Sequence, residues 1–443
     1  MKAFCKVLTI SLFIFNAWIL RGAENIVFAG DVITLNGEFR AIAQVYSALR
    51  NPVQKLYLLN AGIIGDTAAD GLKRLEWDIL RHKPAKVFLM FGLSDVRKNV
   101  RYSKQGAIID PASIAEFKKA TEEMVEKILA SGSKVVLVTP FPYDESAEKT
   151  SYNEKLNGTP GFAELTEICK EIAAKRNVEL LDVFSEVNKI IAVGNEDLLI
   201  FRKNNRTDLG SAGNIALAML IAENLGAGIP IAEIKVNAAE NKYNVNGAEL
   251  RYFRASDKLV RFTYKPERLP LPVDRNYRNL AKIMDLDKRL NSEILTVTGL
   301  PPGIYEFKIN GIVIKTFSAE ELAKGINMAH LDTTSTRTAK ELSALIPRLT
   351  AAPHQLRRMA KAESIIRNAG VDPNDKTAGL ELLAKSIHIT KNKAYHDQIT
   401  AAYTKNIGQK SAVENQIKAQ IDALYSRAAA RQFIVEITPL TGK

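Results

Sequence analysis

Cysteine is almost absent from this chain, two in 443 residues. Cys5 lies in an apolar leader, so an exported form keeps only Cys169, and an intramolecular disulfide is excluded. Cys169 sits at helical apolar spacing with Phe162, Leu165 and Ile172, which marks a buried small residue and not a reactive thiol. Histidine is scarce too, with five in all, and between residues 24 and 237 there is only His82. The first half therefore has little imidazole for general-base chemistry, and neither a metal nor a cofactor is expected. After the N-terminus no apolar run is long enough to cross a bilayer, which takes about 20 residues.

What is present begins with a leader. Lys2 and Lys6 precede VLTISLFIFNAWIL and then RGA, the order of a secretory signal. We assign residues 1–23 to it, with cleavage near Ala23; if uncleaved, it is the expected membrane contact. Hydrophobic residues make up 46% and charged residues 25%, which is ordinary for a folded protein. The net charge of +12 is uneven. Residues 24–237 sum to roughly −2 and residues 238–443 to roughly +11, so attraction to anionic material belongs to the second half. A nucleic-acid partner is not expected.

From Asn25 to about Leu225, short apolar runs (NIVFAG, KLYLLNAG, AKVFLMFG, KVVLVTP, VELLDVF) alternate with helical stretches such as PASIAEFKKATEEMVEKILASG. Such alternation predicts an α/β domain over 24–230, with a parallel sheet covered on both faces. Active sites in these sheets lie beyond the carboxyl ends of the strands. Here those ends are Gly30-Asp31, Asn60-Ala61-Gly62, Gly92 and Pro140. Residues 238–317 alternate apolar and polar around Asn-Gly and Pro-Gly turns, as in a small antiparallel β-rich module. Residues 318–443 read as a helical C-terminal region, with QFIVEIT as a last strand that returns to a sheet.

Four segments taken together, FAGDVIT, NAGIIGDTAAD, FGLSD and NNRTDLGSAGNIALA, resemble the SGNH (GDSL) hydrolases. The resemblance covers residues 25–225 and implies a flavodoxin-like three-layer fold and ester hydrolysis. Family members place the nucleophilic serine after Gly-Asp; that position here is Val32. Gly65 fills the glycine oxyanion position and still offers its N–H. Ser94 stands where an asparagine amide is the second donor, and a rotating hydroxyl is a weaker preorganised donor. The Asp-x-x-His motif falls on Asn205 and Asp208; a shifted register puts Asp208 and Ser211 there, and neither supplies an imidazole. His330, His354, His388 and His396 lie far along the chain and read as structural. The substituted motif positions therefore imply a secreted pseudo-hydrolase that binds an extracellular or cell-envelope glycan or a partner, and the basic second half points to an anionic one.

Two other sources of reactive groups are present near this turn. Thr34 carries a hydroxyl, but a turn that aims position 32 into the cleft aims position 34 elsewhere. Asp31, Asp66, Asp95 and Asp208 cluster at strand ends, and Asp31, Asp95 and Asp208 are the candidates for an active carbohydrate esterase of non-standard constellation. Against this, Asp31, Asp66 and Asp95 are also positions that brace loops in the family. Phe141 and Tyr143 sit where the family lines its substrate groove.

Overall fold

The computed structural model describes residues 22–440, apart from 99, 104–105, 143–158, 194–197, 199, 203–207, 273–274 and 391. Nearly all of the leader, Cys5 included, lies outside the described residues, as do Tyr143 and Asn205.

The first part holds β1 (Glu24–Gly30), β2 (Leu56–Gly62), β3 (Lys86–Met90), a hairpin of β4 (Val100–Ser103) and β5 (Gly106–Ile109), β6 (Lys134–Val138) and β7 (Glu179–Leu181). Five of these strands form one parallel sheet in the order β2-β1-β3-β6-β7, the flavodoxin-like order. The α/β expectation is met, and for a legible reason. A sheet covered on both faces needs strands apolar on both sides, which is why the runs lack alternation. In β1, Ile26 and Phe28 enter one core with the helices Glu38–Arg50 and Ser211–Ala222. Val27 and Ala29 enter the other, with Pro111–Ala130 and Thr159–Arg176. Cys169 is part of that second core, where burial pushes its thiol up to about 12.

An edge strand presents backbone groups that must find partners. For β2, side chains supply them. Gln44 donates to the Leu56 carbonyl and accepts from the Leu58 N–H, each at 2.9 Å. Arg40 donates to the Leu58 carbonyl at 2.8 Å, and the Leu56 N–H donates to Tyr425 Oη at 3.0 Å. At the strand's end Arg357 Nε donates to the Gly62 carbonyl at 3.0 Å. Tyr425 and Arg357 come from the C-terminal helices Lys410–Arg427 and His354–Asn368. The tail thus caps the sheet.

The second part holds β8 (Ala232–Asn237), β9 (Lys242–Asn246), β10 (Ala248–Ala255), β11 (Val260–Pro266), β12 (Glu293–Thr298), β13 (Ile304–Ile309), β14 (Ile312–Ser318), β15 (Ile326–Asn327) and β16 (Phe433–Pro439). They form two sheets, β10-β11-β16-β13-β14 and β15-β12-β8-β9, around one shared core. The β13–β14 hairpin turns at Asn310-Gly311, both with positive φ, as its Asn-Gly sequence predicts. One expectation needs correction: β8 and β12 pair in parallel, so the module is not purely antiparallel. Parallel partners need a long crossover, and the 55 residues from 238 to 292 provide it.

Candidate active-site cleft

β1 ends at Gly30, and Asp31 then caps the short helix Val32–Asn36 by accepting from the Ile33 N–H at 3.0 Å. Its other oxygen accepts from the Leu93 N–H at 3.2 Å, tying the β1 turn to the loop after β3. Gly30 is required by close approach: a Cβ there would lie 2.2 Å from Thr34 Oγ1. The same contact shows where Thr34 goes. It is fully buried against the strand end and is not turned to the cleft. Val32 is the first residue of the helix, half-buried, and packs against the second core.

Asp66 and Asp95 also act on structure. Asp95 accepts from the Ala68 N–H at 3.0 Å, linking the loops after β3 and β2. Asp66 accepts from Arg74 Nε at 2.7 Å and from Lys361 Nζ at 3.2 Å. Arg74 in turn donates to Asp78 and to the Gly30 carbonyl, while Arg357 donates to both Asp78 oxygens at 2.9 and 2.6 Å. A sealed ion network therefore underlies the loop that carries Gly65. Gly65 itself has φ +76 with open space where a Cβ would stand, so its left-handed turn faces a free volume. Sequence reasoning found Asp66 but missed Arg357 and Lys361, which lie 295 positions from their Gly62 and Asp66 partners and carry no local signal.

A shallow recess opens at the carboxyl ends of β1, β3 and β6. Asp31, Ile33, Leu93, Pro140, Phe141 and Phe162 are among its walls, which are mostly apolar. Phe141 is 5% exposed and meets Phe201 edge to face at 6.2 Å, so most of its ring is committed to packing. Ser94 is buried near the start of the helix Leu93–Lys98. Asp208 is half-buried in a loop closed by the Phe201–Leu209 bridge, and its carbonyl accepts from the Arg202 N–H at 2.8 Å. Asp31 is a wall of the recess while Asp95 and Asp208 are not, so among the described residues no carboxylate pair lines it.

No described histidine lines the recess. The His82 carbonyl accepts from Asn25 at the opposite end of β1, and burial and Arg81 push its ring down to about 4. His330 pairs with Asp287 at the surface, and His396 is buried against the Leu383 carbonyl. His354 lies against the backbone of Leu35 and Asn36, the far end of the helix that Val32 opens, and burial lowers its pKa. Among the described residues no group of three or more His, Cys, Asp or Glu is placed to hold a metal ion, and no helix is long and apolar enough to cross a membrane.

Residues 28–202 match the model of the GDSL-like Lipase/Acylhydrolase family. Over 139 residues the chain is 31% identical to an uncharacterized lipoprotein, YqeF, of Bacillus subtilis (strain 168), covering 29% of this chain and 53% of that protein. The chain thus spans about half the length of that relative. It is 24% identical over 220 residues to an acetylxylan esterase of Geobacillus stearothermophilus, covering 46% of this chain and 94% of that enzyme. In structure it superposes on a gut microbial diltiazem-metabolizing enzyme with a TM-score of 0.76, at 24% identity, over 94% of this chain and 98% of the other. That likeness extends the shared fold through the β-rich and helical parts. With the flavodoxin-like strand order and the Gly30-Asp31 turn, the match over residues 28–202 identifies this part of the chain as a GDSL-like lipase/acylhydrolase domain of the SGNH hydrolase fold.

Proposed function

We propose that this chain is a pseudo-hydrolase of the cell envelope, which keeps the family cleft, lacks the attacking group and the base, and binds a glycan without cleaving it. One observation carries the reading. The side chain behind the Asp31 cap, where the helix N-terminus would orient a nucleophile, is the aliphatic Val32. Losing the serine of a serine hydrolase lowers turnover on the order of 10⁶-fold, because nucleophile and base act as a unit. The second reading, catalysis by a constellation of Asp31, Asp95 and Asp208, draws less support from geometry: Asp31 and Asp95 accept from backbone N–H groups that fix loops, and Asp208 is not a wall of the recess.

The ligand class follows from chemistry and kinship. One relative is named an acetylxylan esterase, so acetylated polysaccharide is the first candidate. The basic second half favours an anionic glycan. The envelope assignment rests on the leader and on a relative named a lipoprotein.

The test is an ester-hydrolysis assay on the purified chain with p-nitrophenyl acetate and acetylated xylan. We expect no turnover above the buffer rate. Turnover that disappears in Asp208→Ala would overturn the reading. Binding is checked by retention on acetylated and anionic polysaccharides, with retention expected to fall as salt screens the charges.

A further inference from the structure

A second recess, open to solvent, lies along the covered edge of β2, between the first domain and the C-terminal helices. Arg40, Arg81, Arg357, Lys410 and Lys418 line it, with Glu414 as their acidic counterpart. Three of these cations are already matched. Arg81 pairs with Glu414, Arg357 with both oxygens of Asp78, and Lys410 with Glu363 at 2.8 Å.

Arg40 and Lys418 are different. Arg40 is 1% exposed, and its terminal nitrogens donate to the carbonyls of Leu58 at 2.8 Å and Leu349 at 2.6 Å. Its Nε is buried without a hydrogen-bond partner. Its hydrogen bonds go to carbonyl dipoles alone, and a desolvated cation without a paired counter-charge is costly. Burial brings its pKa to about 10, so it stays a cation near neutrality. Lys418 projects from the last helix with its ammonium 5.0 Å over the Tyr57 ring; its charge reaches Asp422, but that carboxylate is ion-paired with Lys55 at 2.6 Å. His82 also lines the recess and is neutral at pH 7, free to give or accept a hydrogen bond.

We propose that this recess is an oxyanion site that takes one carboxylate, sulfate or phosphate group, with Lys418 in contact and Arg40 supplying buried positive charge. The domain provides Arg40 and the tail provides Lys410 and Lys418. A bound anion therefore holds the C-terminal helices to the β2 edge. The site is separate from the Val32 cleft and does not depend on whether that cleft hydrolyses anything.

The experiment is calorimetric titration of the full chain with inorganic phosphate, sulfate and acetate, at ionic strength held constant with sodium chloride. Saturable binding of at least one probe is expected, and it should weaken about tenfold in Lys418→Gln, the loss of one charge-assisted contact. Lys393→Gln, which breaks only an exposed pair with Asp397, should bind as the unaltered chain does. Preference for acetate identifies a carboxylate ligand; preference for sulfate or phosphate identifies a tetrahedral one. Because Arg40→Met removes the bonds that tie β2 at Leu58 and the helix Ile346–Ala351 at Leu349, and so threatens folding, the half-buried Lys418 is the decisive position. No saturable binding beyond the chloride control, or equal binding by Lys418→Gln, would refute the site.

Discussion

Asp78 is fully buried and accepts from Arg74 and from two nitrogens of Arg357. Burial alone would raise its pKa, but Arg357 and Arg74 outweigh burial and hold it well below the usual carboxylate range. Its contribution is therefore present above the ordinary value of 3.8 and is lost as pH falls toward the folded value. Removing one member of a buried ion group strands the others. Asp78→Asn should cost about 3–5 kcal/mol in urea unfolding, and proteolysis should then release the C-terminal helices first. A loss under about 1 kcal/mol would mean that water already reaches the group. Val32 was legible at this scale because the Gly-Asp motif is contiguous. The role of Arg357 was not, since its Asp78 partner lies 279 positions away.

Between elements, Glu293 at the start of β12 faces Tyr264 of β11. The Tyr264 hydroxyl donates to Glu293 at 2.7 Å, and the carboxylate is 1% exposed. Burial pushes its pKa from 4.5 up to about 7. The folded state thus keeps a proton that the unfolded chain releases. This stabilisation is complete below pH 4.5 and is lost as pH rises through about 7. Relative to Glu293→Gln, the unaltered chain should lose on the order of 3 kcal/mol across that window, read from urea midpoints at several pH values. Parallel curves for the two proteins would disprove a protonated Glu293. The parallel strands of the first domain were readable as elements because their apolar runs stand out, most of all in the central β1, β3 and β6, which are buried on both faces. The parallel β8–β12 pair was not, because alternation marks a strand without naming its neighbour.

At the scale of the whole molecule, the chain closes on itself. β16 lies between β11 and β13, so the last strand completes a sheet built about 130 residues earlier. Truncation before Phe433 would expose two strand edges and the apolar side chains Phe433, Val435 and Ile437. The shortened chain is expected to aggregate on size-exclusion chromatography; a monodisperse, thermally unchanged product would contradict the central place of β16. The amino-acid sequence by itself determined the α/β class, the strand-end position of the Gly30-Asp31 turn and the aliphatic Val32 that follows it. These rest on residues adjacent in the chain, where covalent connectivity already sets who stands beside whom. Only the tertiary structure decided that Asp31, Asp66 and Asp95 brace loops, that the basic tail covers β2, and that Arg40 and Lys418 share a recess. Those facts depend on contacts between distant segments, which are chosen by the burial of apolar faces and the pairing of buried charge, and no local pattern records them.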